Sequence, residues 1–510
     1  MKYIVDREEA KKIDVHSIEE IGIPSLVLME RAALAVAEEI VKRENQNENI
    51  LIVCGNGNNG ADGIALGRIM FQRGYQVVCH LLGEYESCTE DNRKQQDIAK
   101  KIGLKIVHNA NLEEYTIIVD AIFGIGLNRS VDGRYKQIIQ MINHSNHRVY
   151  AVDIPSGIHA TDGHVMSYAI KADFTVTFGY QKLGMLLYPG TIYAGKVIVA
   201  DIGFDLNYAS NFKKHMYDWK DVLRMFPKRT ANSHKGNYGK LCVIAGTVNM
   251  AGACFFSAMA AYQMGVGLVK IVTPEDNRQI LQQLLPEAVL CSYPVDNDWK
   301  NDTRIIQEID SASAIVVGPG LGQSEDAKYL LSYVVEHSKV PTVIDADGLR
   351  LLAKMNVLQV KDKKICWNLP EYFVLTPHVK EMLDLLGNQM QVEELKAWYP
   401  ILSERLQAVN PVLVLKDSRT FVVQKEQYYM NRSGNHGMAT GGSGDVLSGM
   451  IGGLLCLGMQ PYQASCLGTY LHGLAGDAIR KNKGASSVMA RDLIEGIHLV
   501  LKQLDQPTDS

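Results

Sequence analysis

Short, continuous apolar runs alternate along the chain with longer stretches of mixed polarity. The runs have the length of buried strands, and the stretches between them have the length of helices. A helix is predicted over 6–20, where Asp6 and Glu9 stand at capping-box spacing. A second helix is predicted from Pro24, a favoured first helical residue, to about Arg43. An apolar run at 50–54 reads as a buried strand that leads through a glycine loop into a helix starting at Asp62 and stopping at Gly74. Further strands are predicted at 76–82, 116–119, 149–154, 174–178 and 197–200. Strands that alternate with helices indicate an α/β domain with a largely parallel sheet.

Residues 205–232 break this rhythm with Asn, Lys and Trp and a Pro227-Lys228-Arg229 turn. A boundary is expected there, with an N-terminal domain over 1–215, a linker over 216–224 and a C-terminal domain over 225–510. The rhythm then restarts. Strands are predicted at 241–245, 268–273, 314–317, 342–345, 373–376 and 412–415, followed by a hairpin at 420–424 and 427–430. Helices at 444–457 and 462–481 close the chain. No fixed-period repeat is visible, which excludes solenoids and propellers. At about 150 residues per domain the length suggests about three domains, whereas the pattern reads as two.

Composition narrows the class. Of 510 residues, 52 are Lys or Arg and 56 are Asp or Glu, a net charge of −4. That balance argues against nucleic-acid binding through a basic patch and against an acidic tail. The N-terminus is charged from the start and lacks the apolar region of a secretory signal. The uncharged stretch 251–269 contains Gly252, Ser257, Gln263, Gly265 and Gly267, so it reads as a buried helix followed by a strand, not as a membrane span. The nine cysteines are scattered and form no C-x-x-C pair. They are expected to be reduced, buried thiols in a cytoplasmic protein. A homo-oligomer is expected.

The 44 glycines concentrate their information in loops that follow strands. The first loop, G-N-G-N-N-G-A-D-G from Gly55 to Gly63, formally contains G-x-G-x-x-G. That pattern alone suggests a dinucleotide turn at a helix N-terminus, or simply a tight turn in which Asn supplies left-handed residues. The crowding of Asn56, Asn58, Asn59 and Asp62 exceeds what a pyrophosphate turn needs. Two more loops follow strands, D-A-I-F-G-I-G from Asp120 and D-I-P-S-G from Asp153. In a parallel sheet such loops gather at the carboxyl edge. Asn59, Asp120 and Ser156 offer hard oxygen ligands for a cation, and Asp153 suits general acid–base work.

Together with P-S-L-V-L-M-E-R-A-A from Pro24, these motifs resemble the NAD(P)H-hydrate epimerase family over roughly 1–215. The resemblance implies a Rossmann-like three-layer domain. It implies a substrate pocket at Asn58, Asn59, Gly60, Ala61, Asp62, Gly124, Ile125, Gly126, Leu127, Asn128, Arg129, Ser130 and Asp153. It also implies a potassium ion at Asn59, Asp120 and Ser156. Arg31 and Ala61 depart from the expected pattern.

The second cluster, G-M-A-T-G-G-S-G-D, ends with Asp445 at the start of an apolar helix. Glycines there free backbone amides for an anion, and the helix N-terminus favours negative charge. An Asp beside such a hole can take a proton from a hydroxyl that attacks a phosphoryl group. The bland reading is a glycine turn with an Asp cap. T-V-N-M-A-G-A from Thr247, G-P-G-L-G from Gly318, T-P-H-V-K-E from Thr376 and K-D-S-R-T from Lys416 also follow strands. With H-K-G-N-Y-G-K at His234 and D-A-D-G-L at Asp345, this half resembles the NAD(P)H-hydrate dehydratase family of the ribokinase-like superfamily over about 225–505.

That resemblance implies a three-layer α/β/α domain with hydrate contacts at Ala253, Gly320, His378 and Asp445. Nucleotide contacts are implied at Lys416, Asp417, Ser418, Arg419, Thr420, Gly442, Ser443 and Gly444, with Mg2+ and ADP or ATP. Asp417 stands where Gly is expected, and Val379-Lys380 where Pro-Gly is expected. Joined, the halves imply epimerisation of NADHX and NADPHX by one domain and nucleotide-dependent dehydration of the S form by the other, with Asp153 and Asp445 catalytic and no nucleic acid or membrane partner. The rivals are a vitamin-type kinase fused to a binding domain, a non-enzymatic N-terminal scaffold, and an NAD dehydrogenase, for which Glu84 is a poor ribose ligand.

Overall fold

A computed structural model describes all residues except 206, 296–298, 301–302, 356, 362–363, 388–389, 407–409 and 506–510. The chain divides into two compact units, Tyr3–Lys213 and Lys214–Ser510, the latter taking in Met1–Lys2.

In the N-terminal unit the apolar runs form a seven-stranded, wholly parallel sheet. Its order is Lys105–Val107, Gln76–Leu81, Asn49–Cys54, Ile117–Ala121, Arg148–Val152, Phe174–Phe178 and Lys196–Ala200. Alternate side chains of a strand point to opposite faces. Ile50, Ile52 and Cys54 therefore join one core, with helices Ser25–Val41 and Asn58–Gln72. Leu51 and Val53 join a second core, with helix Gly133–His144. This gives three layers. The chain runs outward from Asn49–Cys54 to one edge, then returns to Ile117–Ala121 and proceeds to the other. The loops after those two central strands diverge and leave a crevice at the carboxyl edge.

The first helix is Arg7–Val15 with Asp6 as N-cap, and Asp6 and Glu9 satisfy each other's amides as their spacing predicts. It continues as a single wide turn over His16–Glu20. The helix after the glycine loop starts at Asn58, four residues before the position expected from sequence. Gly60 permits this early start, because a Cβ there would lie 1.9 Å from the Gly55 carbonyl oxygen.

The C-terminal unit is built on the same principle. Parallel strands run in the order Val289–Tyr293, Leu268–Pro274, Lys240–Ile244, Ala314–Val317, Thr342–Ile344, Phe373–Leu375 and Val412–Leu415. The antiparallel hairpin Phe421–Gln424 and Gln427–Met430 extends the sheet, and Lys214–Met216 adds to its edge. Leu241 and Val243 enter a core with helices Ala251–Gln263, Ser443–Cys456, Pro461–Lys483 and Ala490–Leu501. The crevice here lies between Lys240–Ile244 and Ala314–Val317.

Two expectations are corrected. Residues 216–224 are not a linker. They complete an edge strand and form most of helix Trp219–Met225, whose Asp218 and Asp221 make a capping box and whose Val222 is buried. Strand Val289–Tyr293 and the antiparallel pair Leu358–Lys361 and Lys364–Trp367 escaped the sequence reading, because their polar residues break the apolar runs. The stretch 251–269 is a helix followed by a strand, as expected. Among the described residues no helix is long and apolar enough to cross a membrane. All nine cysteines are free, and seven are buried.

Helices Ala251–Gln263 and Ser443–Cys456 approach so closely that a Cβ on Gly449 would stand 2.1 Å from the Ser257 carbonyl oxygen. Gly449→Ala is therefore expected to destabilise the C-terminal unit by about 1–3 kcal/mol through overpacking. Gly252→Ala, with nothing within 4 Å of the added methyl, should be neutral or slightly stabilising. Urea unfolding of the two variants checks the contrast.

Candidate functional site

The crevice of the N-terminal unit opens into a cavity of about 590 Å³. Asn58, Asn59 and Asp62 line it from the first turns of their helix, and Gly124, Ile125, Gly126, Leu127, Asn128 and Arg129 line it from the loop after Ile117–Ala121. Asp153 reaches it from the loop after Arg148–Val152. Three residues expected in the pocket do not line it. Gly60 is pressed against Gly55, Ala61 is fully buried in the core, and Ser130 is exposed. Arg31 is also exposed and packs over Gly203, so this departure leaves the cavity wall intact.

The loops are held from behind. Asn92, fully buried, donates to the Gly55 and Gly57 carbonyls at 3.1 and 3.0 Å. Arg7 donates to the Ile125 and Gly126 carbonyls at 2.9 and 3.2 Å. Neither residue belongs to a recognisable motif.

Asp153 takes a positive φ of 67°, a backbone state that a non-glycine residue adopts only when its surroundings over-determine it. The constraint is visible. Its carboxylate accepts from the Thr177 hydroxyl and the Phe178 amide, both at 3.1 Å, and from the Lys182 ammonium. Lys182 is buried and spends its other two protons on Thr177 Oγ1 and the Phe178 carbonyl, at 3.0 and 3.1 Å. Two further acids line the cavity. Burial pushes Asp62 well above the usual carboxylate range, with Asp153 and Asp14 adding to the effect. Burial raises Asp14 to about 6, with Lys182 opposing and Asp153 assisting. Neither Lys182 nor Asp14 is legible in the sequence, since each stands outside every motif among ordinary polar neighbours.

Behind the cavity, Asp120 is completely buried. One carboxylate oxygen accepts from the Ser156 hydroxyl at 2.5 Å and the Ile122 amide at 3.2 Å, and the other from the Ser156 amide at 2.7 Å. Burial raises its pKa to about 6 despite these bonds. Asn59 lies beside Gly124, and its buried Nδ2 has no hydrogen-bond partner.

In the C-terminal unit Asp445 is the third residue of helix Ser443–Cys456, whose N-cap is Gly442. Among the described residues nothing hydrogen-bonds its carboxylate. Burial raises it to about 7, with Asp345 assisting and Lys416 opposing. Lys416 donates to Asp345 at 2.8 Å, Ser448 donates to the other Asp345 oxygen, and the ammonium stands 3.2 Å from where a Gly444 Cβ would be. Lys416 is thus packed against the first turn of the helix. The peptide between Asp345 and Asp347 turns through Ala346 at φ 48°, and Asp347 accepts from the Gly322 amide at 2.9 Å.

His378 caps helix Val379–Leu385. Its Nδ1 accepts from the Glu381 amide at 3.1 Å, and Glu381 accepts from the His378 amide at 2.9 Å. Burial and Lys416 lower its pKa, so the ring is neutral near pH 7. Val379 begins that helix in place of the expected Pro. A Cβ on Gly320 would stand 2.9 Å from Ala253 Cβ, so these two meet across the sheet crevice. The structure therefore assembles Asp445, Lys416 and Gly444 as one group, and Ala253 and Gly320 as another.

Asp417, Ser418, Arg419 and Thr420 lie on the turn between Val412–Leu415 and Phe421–Gln424. The Asp417 carboxylate is held aside by Tyr399 at 2.8 Å and the Ser418 amide at 2.7 Å. Ser443 Oγ is 3.4 Å from the buried His472.

Comparison with known proteins covers both units. The family described as NAD(P)H-hydrate dehydratase matches residues 241–499, and the one described as YjeF-related protein N-terminus matches 25–184. A bifunctional NAD(P)H-hydrate repair enzyme of Moorella thermoacetica is 34% identical over 100% of this chain and 98% of its own length. Its namesake in Coxiella burnetii is 32% identical over 98% and 100%. A solved ribokinase-like superfamily protein of Enterococcus faecalis, 26% identical, matches 58% of this chain and 98% of its own with a TM-score of 0.50. Relatives that span both units leave no place for the dehydrogenase, the vitamin kinase or the scaffold. With two halves joined in one chain, each carrying a buried acid at a crevice, this protein belongs to the family of bifunctional NAD(P)H-hydrate repair enzymes.

Proposed function

We propose that the N-terminal cavity interconverts the R and S hydrates of NADH and NADPH through Asp153. The Asp445 site then dehydrates the S form at the expense of ADP or ATP, giving AMP or ADP and phosphate. The observation that carries this reading is the unpartnered Asp445 carboxylate at the N-terminus of a helix, beside a half-buried lysine. Asp445 takes the proton of the C6 hydroxyl. That oxygen attacks the terminal phosphate, while the amides at Gly442–Gly444 and the Lys416 ammonium stabilise the transferring charge. Loss of phosphate from C6 and of a proton from C5 regenerates the dihydropyridine. Asp417, held aside by Tyr399 and the Ser418 amide, leaves the phosphate path to Lys416.

The residues fit the two cations to different degrees. Asp120 is a buried carboxylate without a counter-cation, and exchanging the Asn59 amide atoms turns an orphaned nitrogen into an oxygen at the same place. Asn59, Asp120 and Ser156 would hold K+ there, where it would supply positive charge behind the cavity. Among the described residues no three His, Cys, Asp or Glu side chains could hold a metal ion. Mg2+ would therefore enter with the nucleotide's own oxygens and supply charge neutralisation at the phosphates. Nine free thiols suit a reducing cytoplasm.

Recovery of 340 nm absorbance from mixed hydrate epimers with ADP or ATP tests the two assignments together. Asp445→Ala should lower recovery at least about 100-fold. Asp153→Ala should recover only the S fraction at the normal rate. Full rates in both variants would contradict the assignments.

A second expectation concerns pH. Asp445 acts as a base, so kcat for dehydration should rise with pH through about 7, where its carboxyl ionises. Asp345→Asn removes a charge that opposes this ionisation and frees Lys416, so the limb should move to lower pH. A limb that stays in place in this variant would remove Asp345 from the account.

A further inference from the structure

The mechanism above leaves one cavity acid unused. Asp14 projects from helix Arg7–Val15, outside every motif, and lines the same cavity as Asp153. Its helix is fastened to the cavity loop by Arg7, whose guanidinium binds the Ile125 and Gly126 carbonyls. Among the described residues the Asp14 carboxylate has no hydrogen-bond partner. Lys182, whose charge acts on Asp14, has all three protons committed to Asp153, Thr177 and the Phe178 carbonyl. Asp14 therefore sits in the field of Lys182 and Asp153 without sharing their hydrogen bonds.

We propose that Asp14 is the second proton-transfer group of the epimerase, serving C6 of the hydrate from helix Arg7–Val15 as Asp153 serves it from the loop after Arg148–Val152. This rests on the reading of the cavity given above. Inverting C6 requires a bond to break on one face and form on the other. Protonated Asp14 gives its proton to the C6 hydroxyl. The C6–O bond breaks, its electron pair leaves with water, and the N1 lone pair closes an N1=C6 iminium. A second water adds to C6 on the other face and passes one proton to the Asp153 carboxylate. One water leaves and one enters, Asp14 loses a proton and Asp153 gains one, and nothing is oxidised or reduced. The products, ionised Asp14 and protonated Asp153, are the pair needed for the reverse inversion, and proton exchange with solvent resets them.

The charges around Asp14 suit this shuttle. Lys11 lies on its own helix, Asp62 on helix Asn58–Gln72, Asp91 on helix Glu90–Lys101, Asp153 and Lys182 follow strands, and Arg129 lies on the cavity loop. Burial raises Asp14 only to about 6, because Lys182 opposes it. Asp62 has no such opposition, and burial with Asp153, Asp14 and Asp91 pushes it well above the usual carboxylate range.

The test uses the full chain without nucleotide, following epimer exchange of purified R hydrate in ¹⁸O-labelled water. Asp14→Asn should slow exchange at least about 100-fold and remove the fall in rate above about pH 6. Dehydration of the S hydrate, measured after adding ADP or ATP, should be unchanged and shows that the protein is folded. Formate should partly restore exchange to Asp14→Ala, an effect that a purely structural role would not produce. In the wild type each inversion should carry one labelled oxygen into the C6 hydroxyl. Exchange in Asp14→Asn within about threefold of wild type, or inversion without label, overturns the proposal. Asp153→Asn separates the two readings. If it alone abolishes exchange, only the role of Asp14 falls; if neither variant affects exchange, the assignment of the cavity falls too.

Discussion

A lysine paired with a buried aspartate underlies both sites. Lys182 with Asp153 serves the N-terminal unit, and Lys416 with Asp345 serves the C-terminal unit. A buried charge is costly unless it is paired and its remaining protons are satisfied. Lys182 meets that condition in full, through a hydroxyl and a carbonyl as well as the carboxylate. Each pair stands at the carboxyl edge of a parallel sheet, and neighbouring acids are left poised in its field. Asp14 is raised to about 6 beside the first pair and Asp445 to about 7 beside the second. Near neutral pH both can hold or release a proton.

This arrangement explains how a chain with a net charge of −4 can handle anionic nucleotides. A single lysine, backbone amides at a helix N-terminus and nucleotide-borne or bound cations take the place of a broad basic surface. The glycines serve the same end by close approach. Gly60 lets the Asn-rich turn fold onto Gly55, and Gly449 lets the helix that carries Asp445 lie on Ser257. Ser257 in turn donates to the Asp445 carbonyl at 3.0 Å, which ties the turn carrying Asp445 to the neighbouring helix.

Much of this was legible in the sequence because it is local. The strand 174–178 and the hairpin that ends at 430 announce themselves by composition, and the Asp6 cap by spacing. The loops that carry Asp120, Asp153 and Asp445 announce themselves by glycine and position. What stayed hidden depends on tertiary contact. Lys182 and Asp14 look like any strand-end lysine or helix aspartate until folding brings them to one cavity. Asn92 reads as a surface residue, yet it is buried under the glycine loop. Gly60 and Ala61 share a motif with cavity residues but lie off the cavity face, since a helix of 3.6 residues per turn shows only some of its positions to one side, and Ser130 stands on the loop beyond the last lining residue, Arg129. The segment 216–224 reads as a linker because polar residues that cap a helix look the same in sequence as polar residues that mark a break.

The central claim is that the C6 oxygen of the S hydrate becomes a nucleophile toward phosphorus under the control of Asp445. The fate of that oxygen tests it most directly. With the Asp153→Asn variant, in which epimer exchange is blocked, S hydrate labelled with ¹⁸O at C6 and ADP or ATP should yield inorganic phosphate carrying the label. Label recovered in water, with unlabelled phosphate, would contradict the account.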